Sequence, residues 1–175
     1  MMIAQTNPKP VHIAYLAADD GPEIVAAARL LLGEYRDYAR VAAGPGFKMA
    51  KFEAEIAGLP ASHIAAGGGL LIAWLSDAPA GCVAFRPLPE VLPERATELK
   101  RLWVREPFRG RGLAERLVEA VAAETRAAGG SAVYLDTEPD RMPDAVRLYR
   151  RLGFTDCPLY RPSDPGVRAF RLGLA

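Results

Sequence analysis

The stretch 98–128 constrains the fold of this chain more than any other part of its sequence. It begins with an extended apolar pattern at residues 98–104, continues through the turn 109–114 (Arg-Gly-Arg-Gly-Leu-Ala), and ends in apolar residues at helical spacing. Pro107 and the two glycines interrupt the connection, as is typical of a loop between regular elements. The stretch therefore predicts a strand, a turn and an amphipathic helix that begins at about Arg111.

The start of this helix lacks the side chains that usually cap a helix N-terminus. No Ser, Thr, Asp or Asn stands there, so the first amide groups have no obvious side-chain acceptor. Arg109, Arg111 and Arg116 lie near the positive end of the helix dipole, where each cation is unfavourable by a few tenths to ~1 kcal/mol. Free amides, glycines and surplus cations together predict a bound anion. The alternative is a basic surface loop whose amides are hydrogen-bonded to water.

The spacing of the glycines argues against two common phosphate-binding loops. A P-loop needs Gly-Lys-Ser or Gly-Lys-Thr at the start of the helix, and the chain has no such run. A dinucleotide-binding turn that begins at Gly110 needs Gly or Ala at position 115, which is Glu115. The pattern that fits is Arg-x-x-Gly-x-Ala, formed by Arg109, Gly112 and Ala114.

A second segment supports one interpretation of this loop. Residues 145–154 read Ala-x-x-Leu-Tyr-x-x-Leu-Gly-Phe, with the apolar positions on one helix face and Gly153 just past the helix end. The two segments, in this order and separated by one helix and one strand, resemble the coenzyme A loop and the following helix of the GNAT superfamily of N-acyltransferases. The resemblance covers about the last half of the chain, and shorter matches around it point to a bacterial subgroup whose substrates are mostly unassigned.

Periodicity along the rest of the chain predicts a mixed α/β fold. Apart from the strand, helices and loop described above, the predicted elements are a strand at 11–17, helices at 22–38 and 47–59, strands at 67–75 and 80–86, a strand at 131–135, and final strands at 155–160 and 167–174. This order indicates a layer of helices on a mostly antiparallel sheet. The GNAT fold has the same order, and we expect a single domain over residues 1–175.

Composition excludes several classes of protein. The chain has 175 residues, half of them hydrophobic and a quarter charged, which is an ordinary globular balance. A net charge of +1 argues against a nucleic-acid partner, because phosphate binding needs clustered surplus cations. Cys82, Cys157, His12 and His63 show no metal-ligand spacing. We therefore expect no metal. No signal peptide or membrane-spanning helix is evident, so we expect no membrane partner and a cytoplasmic location.

The resemblance implies acetyl-CoA as the co-substrate and assigns residues to its binding. The loop amides would hold the pyrophosphate with added charge from arginine, and the strand before the loop would offer backbone groups to the pantetheine arm. That strand and the next one separate in this fold and open a slot for the arm. The implied coenzyme-binding residues are Leu102, Trp103, Val104, Arg109, Gly110, Arg111, Gly112, Leu113 and Ala114.

Two residues are candidates for the chemistry of acyl transfer. Glu98 lies at the position where several GNAT enzymes carry a glutamate base, and it would remove the proton of the acceptor amine through a water. The alternative is a strand glutamate paired with a cation such as Lys100 or Arg101. Tyr149 matches the superfamily tyrosine that donates to the coenzyme sulfur. The alternative for Tyr149 is an aromatic residue of the core, because it shares the apolar face of its helix.

The acceptor is the least constrained part of the prediction. The leading hypothesis is acetylation of the amine of a small molecule or amino-acid-like acceptor. Acetylation of a protein N-terminus or lysine stays open, as does a sensor that binds acyl-CoA without catalysis. Arg86, Arg101 and Tyr160 are candidates for binding a substrate carboxylate, although internal pairing of the arginines is an equal alternative. A homodimer is plausible from the resemblance alone.

Overall fold

Seven strands form one sheet that flanking helices cover on both faces. The computed structural model describes residues 10–44, 48–88, 92 and 94–174. The strands are β1 (Val11–Tyr15), β2 (Gly69–Leu75), β3 (Ala78–Pro87), β4 (Ala96–Val104), β5 (Ala132–Thr137), β6 (Thr155–Cys157) and β7 (Arg168–Gly173). Their order in the sheet is β1-β2-β3-β4-β5-β7-β6, and every neighbouring pair except β4–β5 is antiparallel. The predicted mixed α/β fold with a mostly antiparallel sheet is confirmed.

Five helices connect these strands. They are α1 (Pro22–Ala43), α2 (Met49–Ala57), α3 (Ala61–Ile64), α4 (Leu113–Ala127) and α5 (Pro143–Arg151), with short 3₁₀ turns at residues 65–67 and 106–108. Helix α1 extends past its predicted end at residue 38, because good helix formers continue until Gly44, whose φ is +62°. The single turn α3 was not predicted. Of the predicted helix 47–59, residue 47 lies outside the described residues, and α2 accounts for most of the rest.

Two apolar layers hold the helices against the sheet. On one face, Leu117 and Val121 of α4 pack with Leu71, Val83 and other residues of the sheet, and all four are buried. On the other face, α1 and α2 pack through a second cluster that includes Leu31, Leu32, Phe52 and Ile72. Neighbouring residues of β2 thus enter opposite layers, as the alternation of a strand requires. Each fully buried leucine contributes roughly 1.5–3 kcal/mol by leaving water.

The pairing of β4 with β5 is short, and this shapes the site. The two strands pair only from Ala96–Glu98 to Ala132–Tyr134, so they are unpaired beyond that point. The pairing of β4 with β3 is also irregular between Cys82 and Ala84, and the facing Arg101 has a φ of +56°. The slot that the resemblance implies between these strands is present.

The final strands differ from their predicted limits. Strand β6 ends at Cys157 rather than residue 160, because Pro158 has no amide hydrogen for strand pairing. The chain then turns, and the hydroxyl of Tyr160 donates to Glu98 on β4. Cys82 is buried and Cys157 is half-buried, and both are free thiols.

Metal-ligand clusters and membrane-spanning helices are both absent from the described part of the chain. There, no group of three or more His, Cys, Asp or Glu side chains is placed to hold a metal ion. None of the helices described there combines the length and apolar character needed to cross a lipid bilayer.

Candidate active site

The N-terminus of α4 lies at the predicted turn and has no side-chain cap. Gly112 occupies the N-cap position with a φ of +71°, and Gly110 has the same φ. This left-handed conformation explains both glycines, because other residues adopt it only with strain. The first helical hydrogen bond runs from the Arg116 amide to the Gly112 carbonyl. In the described part of the chain, no acceptor takes the amide hydrogens of residues 110–115.

Among the described residues, the arginines near this helix end form no ion pair. The Nε of Arg109 donates to the Val104 carbonyl oxygen at 3.0 Å, and its guanidinium lies 5.0 Å from the centre of the Trp103 ring. Arg109 is thereby held at the end of β4. Arg111 and Arg116 are exposed and have no ion-pair partner among the described residues. The surplus of positive charge at the helix terminus is therefore present.

A cavity of about 540 Å³ extends from this helix terminus along the end of β4 to α5. We call it the first cavity. Eight of the nine predicted coenzyme-binding residues line it: Leu102, Trp103, Val104, Arg109, Gly110, Gly112, Leu113 and Ala114. The ninth, Arg111, does not line the cavity.

A second cavity of about 500 Å³ opens where β4 and β5 are unpaired. Its walls come from α1, α2, β4, the end of β5, the start of α5 and the segment 161–167. The two cavities share four lining residues: Tyr38, Leu102, Ala145 and Tyr149. A molecule held in the first cavity can therefore meet a second molecule at these residues.

Tyr149 lies on α5 at this junction of the two cavities. Its ring packs against Phe154, with the ring centres 5.7 Å apart, as the alternative of a core aromatic residue requires. Among the described residues its hydroxyl has no hydrogen-bond partner. Burial raises the pKa of Tyr149 well above its usual value, and nearby Tyr35, Tyr38 and Asp136 raise it further. The hydroxyl therefore stays protonated at neutral pH and is free to donate.

Glu98 lies on β4 but lines neither cavity. Its side chain is 1% exposed. One carboxylate oxygen accepts hydrogen bonds from the Tyr160 hydroxyl and lies 2.9 Å from Nη1 of Arg161, and the other accepts from Nε of Arg86 at 2.5 Å. The carboxylate connects to the second cavity through Arg161, which lines that cavity and also binds Asp136.

The side chains considered for a substrate carboxylate are held by internal contacts. Arg86 and Tyr160 both contact Glu98. Arg101 forms a two-point contact with Glu55, with distances of 3.2 and 2.9 Å, and its guanidinium lies 4.2 Å from the centre of the Phe52 ring. The alternative of internal pairing therefore holds for both arginines.

Sequence reasoning missed several residues of the second cavity. Lys100, Asp136 and Arg161 line it, although Lys100 was considered only as a partner of Glu98. The irregular backbone at Arg101 helps to place Lys100 there, and nothing in the sequence signals that irregularity. Arg161 lies after β6, just past the strand predicted at residues 155–160, and its ion pairs with Glu98 and Asp136 depend on tertiary packing.

The sequence was next compared with known proteins. A profile of the acetyltransferase (GNAT) family matches residues 35–154. The chain belongs to the GNAT acetyltransferase family. An N-acetyltransferase of Schizosaccharomyces pombe is 38% identical over 96 residues, which are 54% of this chain and 56% of that protein. An IAA acetyltransferase of Azospirillum brasilense is 38% identical over 68 residues, 39% of this chain and 44% of that protein. The chain thus spans about half the length of these curated relatives.

Solved GNAT structures share the fold. An acetyltransferase from Streptococcus agalactiae superposes with a TM-score of 0.71 at 20% identity, covering 94% of this chain and 98% of that one. A GNAT acetyltransferase from Staphylococcus aureus gives a TM-score of 0.73 at 13% identity, covering 95% and 100%. The uncapped α4 terminus and the separated β4 and β5 strands therefore lie within a GNAT fold.

Proposed function

We propose that this GNAT chain transfers an acetyl group from acetyl-CoA to the amine of a small-molecule or amino-acid-like acceptor. The observation that carries the proposal is the position of Tyr149, which lines both cavities beside the opening between β4 and β5. One cavity ends at an uncapped helix terminus suited to a pyrophosphate. The other is a separate space of the size that small ligands occupy.

Two parts of the first cavity support coenzyme binding: the α4 terminus, suited to the pyrophosphate, and the end of β4, suited to the pantetheine arm. The free amides of residues 110–115 point to a bound anion, and Arg109 and Arg111 add positive charge. Past Glu98, β4 has no partner on its β5 side, so residues 102–104 are placed to offer backbone groups to the pantetheine arm. Bound acetyl-CoA would supply the reactive thioester.

Tyr149 is proposed as the donor to the leaving sulfur. In the overall reaction the acceptor nitrogen bonds to the acetyl carbon, the carbon–sulfur bond breaks, the nitrogen loses a proton and the sulfur gains one. Because its pKa is raised, Tyr149 is a weak acid, and its hydrogen bond to developing negative charge matters more than complete proton transfer. Its lack of a partner among the described residues leaves the hydroxyl available for this bond.

The proposed role of Glu98 is the removal of the amine proton through a water. An ammonium has no lone pair, so the acceptor must be deprotonated before attack. The contacts of Glu98 with Arg86, Tyr160 and Arg161 also fit a role in positioning Arg161 at the second cavity. The base role therefore stays a prediction that the pH dependence of a Glu98 variant decides. The cytoplasmic location, the single domain over residues 1–175 and the possible homodimer also stay predictions.

A screen of acceptors tests the proposal. Thiol release from acetyl-CoA is measured across small amines, amino acids and peptides with free N-termini or lysines. We expect turnover with small amines, and a kcat that falls about 10²-fold in Tyr149→Phe with little change in acetyl-CoA affinity. Because the hydroxyl forms no hydrogen bond with any residue that the structure describes, this variant should melt at the temperature of the native protein.

The alternatives make different predictions in the same screen. Turnover of peptides alone would favour a protein acetyltransferase. Tight acetyl-CoA binding without turnover of any acceptor would favour a sensor. An unchanged kcat in Tyr149→Phe would remove this residue from the mechanism.

A further inference from the structure

Charged residues line the second cavity unevenly. Its cationic lining residues are Lys48, Lys51, Lys100, Arg101, Arg141 and Arg161, and its acidic ones are Asp136, Glu138 and Asp164. The three arginines are all paired: Arg101 with Glu55, Arg141 with Glu138, and Arg161 with both Asp136 and Glu98. The arginines therefore leave little positive charge for a ligand.

The lysines of the cavity have no such partners. In the part of the chain that the structure describes, Lys48, Lys51 and Lys100 form no ion pair or side-chain hydrogen bond. Among the acidic lining residues, only the exposed Asp164 is likewise unpaired. Three unpaired cations thus face one unpaired carboxylate across this cavity.

Lys100 is the most constrained of the three. Lys48 and Lys51 are exposed, but Lys100 is half-buried on β4. Burial, together with the positive charge of Arg101, lowers the pKa of Lys100 to about 8, although the nearby Glu98 carboxylate opposes the shift. A partly buried ammonium that forms no direct ion pair is unfavourable, and an anion in the cavity would supply that contact.

We propose that the acceptor carries an anionic group, a carboxylate or a phosphate, which pairs with Lys100 while Lys48 and Lys51 add positive potential at the cavity wall. This inference rests on the proposed acetyl transfer and specifies the acceptor. It also moves carboxylate recognition from Arg86, Arg101 and Tyr160, which are held by Glu98 and Glu55, to the unpaired lysines.

Matched acceptors test the proposal. Thiol release from acetyl-CoA is compared for an amino acid, its carboxamide and the corresponding decarboxylated amine, and separately for O-phosphoethanolamine against ethanolamine. We expect kcat/KM for at least one anionic acceptor to exceed that of its neutral counterparts by about 10-fold or more. The series with the larger preference identifies the anion as a carboxylate or a phosphate.

Variants assign the preference to the lysine. In Lys100→Met the ratio of kcat/KM between anionic and neutral acceptors should fall about 10-fold, mainly through KM, and Lys100→Arg should retain most of it. Arg126→Gln removes one exposed positive charge on α4 and should keep the native ratio. An unchanged ratio in Lys100→Met would overturn the proposal.

The outcomes also separate this proposal from the one on which it rests. Equal or better turnover of the neutral amines would overturn the anionic acceptor and leave acetyl transfer standing. Absence of thiol release with every acceptor, anionic or neutral, would contradict acetyl transfer itself and this inference with it.

Discussion

Lys100 is the residue at which folding stability and the proposed function oppose each other. Its folded pKa of about 8 lies below its usual value of 10.5, so the charged form is disfavoured in the folded state. The charged groups around it are Arg101 and Glu98 on β4, Arg86 on β3 and Glu55 on α2. The charged Lys100 side chain therefore destabilises the folded state fully below pH 8, and this unfavourable contribution decreases as the pH rises from 8 towards 10.5.

Lys100→Met should stabilise the folded chain at neutral pH. We expect the free energy of unfolding at pH 7 to rise by about 1–2 kcal/mol, after allowance for solvent screening of a half-buried charge. The gain should shrink by pH 10, where the native lysine is already neutral. Urea denaturation at the two pH values measures this, and a less stable variant at pH 7 would show that Lys100 has a stabilising partner.

Glu98→Gln decides between a base and a positioning residue. If Glu98 removes the amine proton, kcat should fall about 10²–10⁴-fold and the acidic limb of the pH–rate profile should flatten. The variant also removes the counter-charge of Arg86 and Arg161, which should lower the free energy of unfolding by about 1–3 kcal/mol. Kinetics and denaturation are measured on the same preparation. A less stable variant with an unchanged profile would assign Glu98 to positioning Arg161.

Single residues were predictable where their role depends on local sequence. Gly110 and Gly112 need a left-handed conformation, and Tyr149 lies at a fixed place in a helical segment. The partners of Arg101 and Glu98 were not predictable. Arg101 binds Glu55, 46 residues away, and Glu98 binds Tyr160, 62 residues away, and both contacts depend on how the elements pack.

The N-terminus of α4 is the element on which coenzyme binding depends. A Cβ at Gly112 would meet no atom within 4 Å, so a side chain fits there, and Asn and Asp tolerate its left-handed backbone better than most residues. Gly112→Asp should therefore fold, but its carboxylate would repel a diphosphate. We expect acetyl-CoA affinity to fall about 10-fold or more relative to Gly112→Asn, which has the same shape without the charge.

Calorimetry at two salt concentrations measures this difference. The difference in acetyl-CoA affinity between Gly112→Asp and Gly112→Asn should become smaller as the salt concentration rises, because salt screens the repulsion between the carboxylate and the diphosphate. Equal affinity of the two variants at low salt would show that no anion lies near Gly112.

The sequence predicted whether a segment is a helix or a strand more often than it predicted where that helix or strand ends. Helices α4 and α5 follow from apolar spacing and from Gly153, and Pro143 begins α5 as expected for a first helical turn. The end of α1 was predicted too early, because the buried face continues through Ala39 and good helix formers run on to Gly44. The irregular pairing at Arg101 has no local signal, since it arises from the way β4 lies between β3 and β5.

At the scale of the whole molecule, two carboxylates connect distant parts of the chain. Burial raises the pKa of Glu55, but His63, whose Nε2 lies 3.2 Å from the carboxylate, and the hydrogen bonds from Arg101 outweigh burial and leave the pKa at about 2. Glu94 also has a pKa of about 2, mainly because of its bond with Arg171 on β7. Both pKa values lie below the usual 4.5, so the ionised carboxylates stabilise the folded state. This stabilisation is complete above about pH 4.5 and is lost as the pH falls towards 2.

Acid denaturation should report these contacts. We expect the free energy of unfolding to decrease between pH 4.5 and 2, with each carboxylate contributing about 1–2 kcal/mol after allowance for solvent screening. Glu55→Gln should be less stable at pH 7 and less sensitive to acid. Glu53→Gln, an exposed change on the same helix, should keep the native acid profile. Thermal denaturation across this pH range measures both variants, and identical acid profiles would show that the Glu55 contacts do not stabilise the fold.

The overall architecture followed from two motifs and the order of elements. Only α4 and β5 separate the segments around Gly112 and Tyr149 along the chain. The order and spacing of the two segments could therefore be seen in the sequence, and they indicated the fold. The second cavity was not predictable, because its walls come from elements spread between residues 35 and 167. Only the folded sheet brings them together.

Coenzyme binding at the α4 terminus should depend on the diphosphate of acetyl-CoA, and calorimetry with a truncated thioester measures that dependence. Isothermal titration calorimetry compares acetyl-CoA with S-acetylpantetheine, which has the same thioester and pantetheine arm but lacks the diphosphate and the 3′-phosphoadenosine beyond it. We predict that acetyl-CoA binds at least about 100-fold more tightly, since it alone reaches the free amides of residues 110–115 and the arginines beside them. Equal affinities for the two compounds, or no binding of acetyl-CoA at all, would contradict the account.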